Sequence, residues 1–141
     1  MTTTRLKLDQ DTLGLSSLLE RITGAKVKDC FKDEEGDIIY FVVGRGELGK
    51  AVGKNGFNIK KVQEALNKRV RVIEYHDNVV EFVKNIIYPF QVEEIVVQDN
   101  VVLVKDSSKK TKSLLIGREG RNLKLINRAV KRFFNMEVKI V

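Results

Sequence analysis

Two short segments, Gly53-Lys54-Asn55-Gly56 and Gly117-Arg118-Glu119-Gly120, share a Gly-x-x-Gly pattern 64 residues apart. Each opens an apolar periodicity of helical spacing. Ile59, Val62 and Leu66 stand at i, i+3 and i+7 after the first, and Leu123, Ile126 and Val130 after the second. The same shift places Asn58 on Asn122. Solenoid units are shorter, ~20 to 50 residues, so a repeat of this length is a duplicated domain, and the chain must fold as two similar units. At 141 residues, each unit is small and lean in core.

A glycine turn that starts a helix presents unpaired N–H groups and the positive end of the helix dipole. Without Cβ atoms it lets a sugar-phosphate chain lie against the backbone. The charge agrees with an anionic ligand. Between Lys50 and Val72 seven Lys or Arg accompany Glu64 alone, and between Lys105 and Arg132 ten accompany Asp106 and Glu119. The whole chain carries +7, so these two stretches hold +14 and the remainder is −7. Solvated helix faces explain many lysines but not an acidic remainder; a phosphate-binding surface explains both.

With 43% apolar and 32% charged residues the chain reads as folded and soluble. It has no apolar run near the ~18 residues of a membrane span, and Met1-Thr2-Thr3-Thr4-Arg5 lacks a secretory leader, so a cytoplasmic protein without membrane partners is expected. Cys30 is the single cysteine, which excludes an internal disulfide or cysteine zinc cluster and reads as a buried thiol. His76 is the single histidine, and no nucleophile, base and orienter set surrounds it. No catalytic residue, metal ligand or cofactor is expected.

The element order repeats. In the first half a helix marked by Leu15, Leu18, Leu19 and Ile22 ends near Gly24. Strands follow at Val27 to Lys32 and Ile38 to Val43 around Asp33-Glu34-Glu35-Gly36-Asp37, an acidic turn without the pattern of a calcium loop. A short helix to Val52, the glycine loop, a longer helix and a strand from Arg69 to Tyr75 complete it. In the second half Val79, Phe82, Val83 and Ile86 mark a helix stopped by Pro89, and strands follow at Val92 to Gln98 and Val101 to Lys105. A short helix from Lys112 to Ile116 leads into the second loop; the last helix ends around Asn135 and a strand from Met136 to Ile140 closes the chain. The expected domains are residues 1–76 and 77–141, joined without a Gly, Ser or Pro linker.

This order resembles the type II KH domain, an RNA-binding fold whose Gly-x-x-Gly loop clamps about four nucleotides of backbone. Val52-Gly53-Lys54-Asn55-Gly56-Phe57-Asn58-Ile59 and Ile116-Gly117-Arg118-Glu119-Gly120-Arg121-Asn122-Leu123 are similar to the loops of the tandem KH pair in the NusA family of transcription termination and antitermination factors. The junction Phe82-Val83-Lys84-Asn85-Ile86-Ile87-Tyr88-Pro89 and the strand Ile95-Val96-Val97 are similar too, and Thr23-Gly24-Ala25 with Lys28-Asp29-Cys30 resembles the family's short archaeal form. The resemblance implies an α+β fold of two tandem type II KH domains, each a three-stranded mixed sheet covered by helices. It implies single-stranded RNA as partner, with the RNA polymerase elongation complex as a further one, and a monomer. The chain leaves no room for the polymerase-binding N-terminal domain or the S1 domain of the longer bacterial members, so what these do through those parts is not implied.

The candidate RNA-binding residues are Gly53, Lys54, Asn55, Gly56, Phe57, Asn58, Lys60 and Lys61 in the first copy, and Gly117, Arg118, Glu119, Gly120, Arg121, Asn122, Lys124 and Arg128 in the second. Loop N–H groups would hold the backbone while Lys54 and Arg118 meet phosphates, contacts that position without specifying. Phe57 is placed to stack a base, but its counterpart is Arg121. Glu119 opposes a phosphate unless it turns outward or pairs with Arg118 or Arg121. Ile59, Val62, Leu123 and Ile126 are core positions first and groove lining second.

Three other readings compete. Gly44-Arg45-Gly46-Glu47-Leu48-Gly49 fits a dinucleotide-binding G-x-G-x-x-G, and with Lys50 a P-loop, but Ala51 replaces the magnesium-liganding Ser or Thr and the following helix is interrupted at Gly53. Two helices joined by a glycine turn also describe a helix-turn-helix with the helix from Asn58 in a DNA major groove. An adaptor, either protein-binding or RNA-binding on the ribosome, is the third.

Overall fold

The computed structural model describes residues 3–33 and 35–141, with side chains from Leu13 onward. Glu34 of the acidic turn, and Met1 and Thr2 of the expected leaderless N-terminus, lie outside the described residues. The chain divides into two compact units, Met1–Tyr75 and His76–Val141.

The first unit begins with helix α1 (Thr3–Thr23), which ends where Gly24 takes φ 77° and donates its N–H to the Glu20 carbonyl. The Thr23 hydroxyl closes the same turn, donating to the Leu19 carbonyl and accepting from the Ala25 N–H. Strands β1 (Val27–Lys32) and β2 (Ile38–Val43) form an antiparallel hairpin with Phe31 opposite Tyr40. Its turn is tied by the Asp33 carboxylate, which accepts from the N–H groups of Asp37 and Ile38. Helices α2 (Leu48–Val52) and α3 (Phe57–Leu66) then carry the chain to β3 (Arg69–Glu74), which pairs with β2 in parallel, Ile38 opposite Arg69.

A parallel neighbour requires a crossover, because a hairpin returns the chain antiparallel. That crossover is α2, the glycine loop and α3, so the loop is the corner between two helices held on one sheet. The sheet order is β1-β2-β3. Leu19, Cys30, Ile39, Phe41, Val43, Ala51, Val62 and Val70 are buried together, with Ile59 and Leu66 packed against them. Each fully buried Val or Leu contributes roughly 1.5 to 3 kcal/mol relative to exposure, and Val62 anchors α3 in this way. Cys30 is a buried thiol outside any disulfide.

The second unit repeats the plan with helix α4 (Val79–Ile87), hairpin β4 (Glu94–Gln98) and β5 (Val101–Lys105), helices α5 (Lys109–Ile116) and α6 (Arg121–Phe133), and β6 (Glu137–Ile140) parallel to β5. Asn78 caps α4, its side-chain Oδ1 accepting from the N–H groups of Val80 and Glu81. The order is β4-β5-β6, and Val102, Val104, Leu115, Ile126, Ala129, Val130 and Val138 are buried. Both units are thus three-stranded mixed sheets with helices, the α+β architecture that the KH resemblance implies.

Element ends depart from the sequence expectation where side chains intervene. α5 starts at Lys109 rather than Lys112 because the Ser108 hydroxyl accepts from the Thr111 N–H and recruits the basic residues between into the first turn. β4 starts at Glu94 rather than Val92. Glu93 instead exchanges bonds with the loop before α5, its N–H donating to Asp106 and its carboxylate accepting from Ser107.

Candidate nucleic-acid interface

The two glycine loops have the same backbone. Gly53 and Gly117 lie at φ 74°, ψ 172° and φ 76°, ψ 172°; Asn55 and Glu119 at φ 56°, ψ 27° and φ 58°, ψ 24°; Gly56 and Gly120 at φ 74°, ψ 15° and φ 73°, ψ 16°. The first glycine of each loop is in a conformation essentially closed to other residues. It also has no room for a side chain. A Cβ on Gly53 would lie 2.8 Å from the Asn58 Cγ and 2.9 Å from its backbone N, and one on Gly117 would lie 2.8 Å from the Asn122 Cγ.

The neighbour that fills this space explains the third aligned residue. Asn58 Nδ2 donates to the Lys50 carbonyl at 2.8 Å, and Asn122 Nδ2 to the Leu114 carbonyl at 2.8 Å. Each asparagine ties the helix after the loop to the helix before it, bridging eight residues of chain. The repeated asparagine, a candidate RNA contact in the sequence, holds the loop's shape through its amide nitrogen.

A similar device works further along each helix. Gln63 Oε1 accepts from the Val70 N–H at 3.0 Å, and Asn127 Oδ1 accepts from the Val138 N–H at 2.8 Å while its Nδ2 donates to the Val138 carbonyl at 3.1 Å. Strands β3 and β6 are sheet edges. The Val70 N–H and both backbone polar groups of Val138 are therefore already bonded to the helix.

Fewer amides face a ligand than the sequence suggests. The Gly53 N–H donates to the Gly49 carbonyl at 2.9 Å and the Gly56 N–H to Gly53 at 3.2 Å; Gly117 and Gly120 repeat the pattern on Ser113 and Gly117 at 2.9 and 3.1 Å. The donors left to a phosphate are at most those of Lys54 and Asn55 in one loop and of Arg118 and Glu119 in the other. All four of these residues are exposed.

Around the first loop Lys54, Asn55, Phe57, Asn58 and Lys60 line one open concavity of about 580 Å³. Phe57 is 58% exposed, and Lys61 Nζ stands over its ring, 4.7 Å from the centroid. Val62 is buried and Ile59 packs on the core, so the groove-lining role that sequence left open to them is secondary.

The second loop differs in its chemistry. Glu119 pairs with Arg121, Oε2 to Nη2 at 3.9 Å, one of the two pairings that would spare a phosphate its charge. Both side chains are solvent-accessible, so the pair is weak and salt-sensitive. A separate concavity of about 500 Å³ runs along α6, lined by Gly120, Leu123, Lys124, Asn127, Arg128, Lys131 and Glu137. It gathers the candidates Gly120, Lys124 and Arg128 but not Arg118, Glu119, Arg121 or Asn122. Lys131 was missed in the sequence although its spacing was legible, since Lys124, Arg128 and Lys131 fall at i, i+4 and i+7 on one helix face.

The G-x-G-x-x-G segment is closed by its own unit. The Gly46 N–H donates to Glu74 Oε2 at 2.9 Å, and Glu47 Oε1 accepts from the Lys26 N–H at 3.2 Å with Lys50 Nζ 3.3 Å from Oε2. The Lys26 N–H, with Lys50 beside it, holds the Glu47 carboxyl below its usual range. Two carboxylates at a would-be phosphate turn repel a nucleotide. His76 Nδ1 accepts from the Asn78 N–H at 2.9 Å, within the cap of α4. Among the described residues no group of three or more His, Cys, Asp or Glu is placed to hold a metal, and no helix is long and apolar enough to cross a membrane.

Two mixed sheets whose parallel crossovers each turn on a Gly-x-x-Gly corner define a tandem KH protein, and the KH domain family matches residues 16–86. Among curated proteins, one named "Probable transcription termination protein NusA" from Methanococcus vannielii is 37% identical over 130 residues, covering 89% of this chain and 72% of that one. Its namesake from Thermoplasma acidophilum is 32% identical, with 93% and 92% covered. A solved structure described as "Crystal structure of APE1850" superposes with a TM-score of 0.76 at 32% identity, covering 94% of this chain and 99% of that one. The chain belongs to the NusA family of KH-domain proteins, in its archaeal form.

Proposed function

We propose that the chain binds single-stranded RNA through both Gly-x-x-Gly loops and serves transcription termination or antitermination by contacting nascent RNA. The observation that carries this reading is the identical backbone of two exposed loops, each opening a basic helix. A duplicated fold need not keep a strained glycine corner twice unless the corner itself is used. The names of the relatives support the transcriptional setting.

In this reading residues 1–76 and 77–141 each act as a KH domain. Lys54 and Arg118 meet phosphates, the loop N–H groups beside them donate to the RNA backbone, and Lys60, Lys61, Lys124 and Arg128 extend the positive surface along the helices. The chain works as a cytoplasmic monomer, with the RNA polymerase elongation complex as its setting. The helix-turn-helix alternative is disfavoured by α3, which packs Val62 and Ile59 on its sheet and follows an α2 of only five residues.

The test is a titration of the intact protein with fluorescent single-stranded RNA, single-stranded DNA and duplex DNA of equal length at two salt concentrations, alongside an Asp-Asp variant of each loop. Salt-sensitive RNA binding that the variants lose establishes the clamp. Preference for duplex, or no binding, overturns it in favour of the helix-turn-helix or the adaptor.

A further inference from the structure

Phe57 stands at the first position of α3, where the two copies part company. It is a large aromatic left 58% exposed, whereas Val62 and Ile59 of the same helix serve the core. A ring left in water at the start of a helix is available to a ligand, and its surroundings fit one. The ring borders the open concavity of about 580 Å³ that it shares with Lys54, Asn55, Asn58 and Lys60, and the Lys61 ammonium lies 4.7 Å from its centroid, over a face. A cation over an aromatic ring restrains the ring's rotation and enters the same site as a positive charge.

We infer that Phe57 is a stacking platform for one nucleobase of the RNA that leaves the first loop, with Lys61 bracing the ring and Lys54 and Lys60 flanking the attached phosphates. The inference rests on the proposed RNA clamp and adds a base subsite outside the glycine corner. A stacked base needs one open ring face and nearby cations for its phosphate, and both are present here. The subsite favours purines, whose larger rings overlap the phenyl group more fully, and it reads no hydrogen-bonding edge. The second copy lacks it, because its equivalent is Arg121, paired with Glu119 at 3.9 Å.

The test uses the full chain and single-stranded RNA carrying one 2-aminopurine, moved stepwise through the sequence, with Phe57→Leu, Phe57→Trp and the Lys54→Asp, Asn55→Asp double variant compared. Phe57 is exposed at a helix start, so its replacement leaves folding intact, which circular dichroism verifies. Stacking predicts quenching of the probe at one register, loss of that quenching with roughly tenfold weaker binding in Phe57→Leu, and recovery in Phe57→Trp. Unchanged affinity and fluorescence in Phe57→Leu, with binding still lost in the double variant, overturns the platform and leaves the clamp standing. Binding that survives the double variant overturns the clamp at this loop, and the platform with it.

Discussion

The two glycine corners share a backbone to within a few degrees yet present different chemistry to solvent. The first offers Lys54, Asn55 and an exposed Phe57; the second offers Arg118, Glu119 and an Arg121 that Glu119 partly neutralises. Shape is set by the two glycines and by an asparagine five residues after the first of them, all three repeated. The two residues between the glycines are exposed, and they and the one that follows differ between the copies. The helices diverge as well, since α3 carries Glu64 where α6 carries Arg128, and α6 runs thirteen residues against ten. Duplication has kept the frame and divided the surface, with an exposed aromatic ring at the first corner and a cationic track along the helix after the second.

The largest effect separates the corners directly. Replacing Lys54 and Asn55 by Asp is expected to weaken RNA binding well over tenfold, because it reverses the charge of a corner whose donors are few. Replacing Arg118 and Glu119 by Asp is expected to cost less, since that corner already carries an anion. In the second unit, Lys124→Ala with Lys131→Ala should flatten the salt dependence more than Arg118→Ala does, each lost phosphate contact removing about 0.7 from the log–log slope. Equal losses at the two corners in a titration would erase the distinction between them.

What the sequence disclosed follows from which forces act locally. The periodicity at Ile59, Val62 and Leu66 and the unbroken apolar run from Ile38 to Val43 record burial, which side chains carry in their own chemistry, so the elements and their order could be read. The roles of Asn58 and Asn122 were hidden because they depend on a carbonyl eight residues back, across a turn whose geometry no local pattern encodes. The donors lost at Gly53 and Gly56 were hidden for the same reason, since an amide's partner is a matter of the fold. Lys131 was legible by spacing and lies inside the basic stretch that ends at Arg132, one turn beyond Arg128. The G-x-G-x-x-G decoy shows the converse, a pattern whose meaning changes once the carboxylate of Glu74, 28 residues away, accepts the Gly46 N–H of the turn.

The shared frame makes its own prediction. Asn58→Ala and Asn122→Ala each remove one side-chain bond to a helix carbonyl, at 2.8 Å in both copies, and each should cost about 1 kcal/mol in chemical denaturation. Similar costs in the two units would show that the frames are equivalent in energy as in shape; a cost in one alone would locate the strain in the other.

Exchanging the differing residue sharpens the comparison further. Glu119 sits in the left-handed region at φ 58°, where asparagine is better tolerated than glutamate. Glu119→Asn should therefore raise stability by up to about 1 kcal/mol and, by removing an anion from the corner, strengthen RNA binding a few-fold at low salt. The reverse exchange, Asn55→Glu, should lower both. If Glu119→Asn leaves binding unchanged, the second corner does not meet phosphate, and the track along α6 does the work of that unit alone.

The smallest effect concerns how the two loops that precede the crossovers are closed. In the first unit Glu47 accepts the Lys26 N–H and lies beside Lys50, which favours its charged form and holds its carboxyl below the ordinary value. A group whose folded value is depressed adds stability above its unfolded value and loses it as pH falls through the folded one. Thermal melts from neutral to acid pH should then show wild type above Glu47→Gln near neutrality, with the two converging as the carboxyl protonates. The corresponding loop of the second unit is closed by Ser107 donating to Glu93, and Ser107→Ala, which removes the hydroxyl donor, should lower its melting temperature. Parallel curves for wild type and Glu47→Gln across the whole range would mean that the Lys26 bond does not depend on charge.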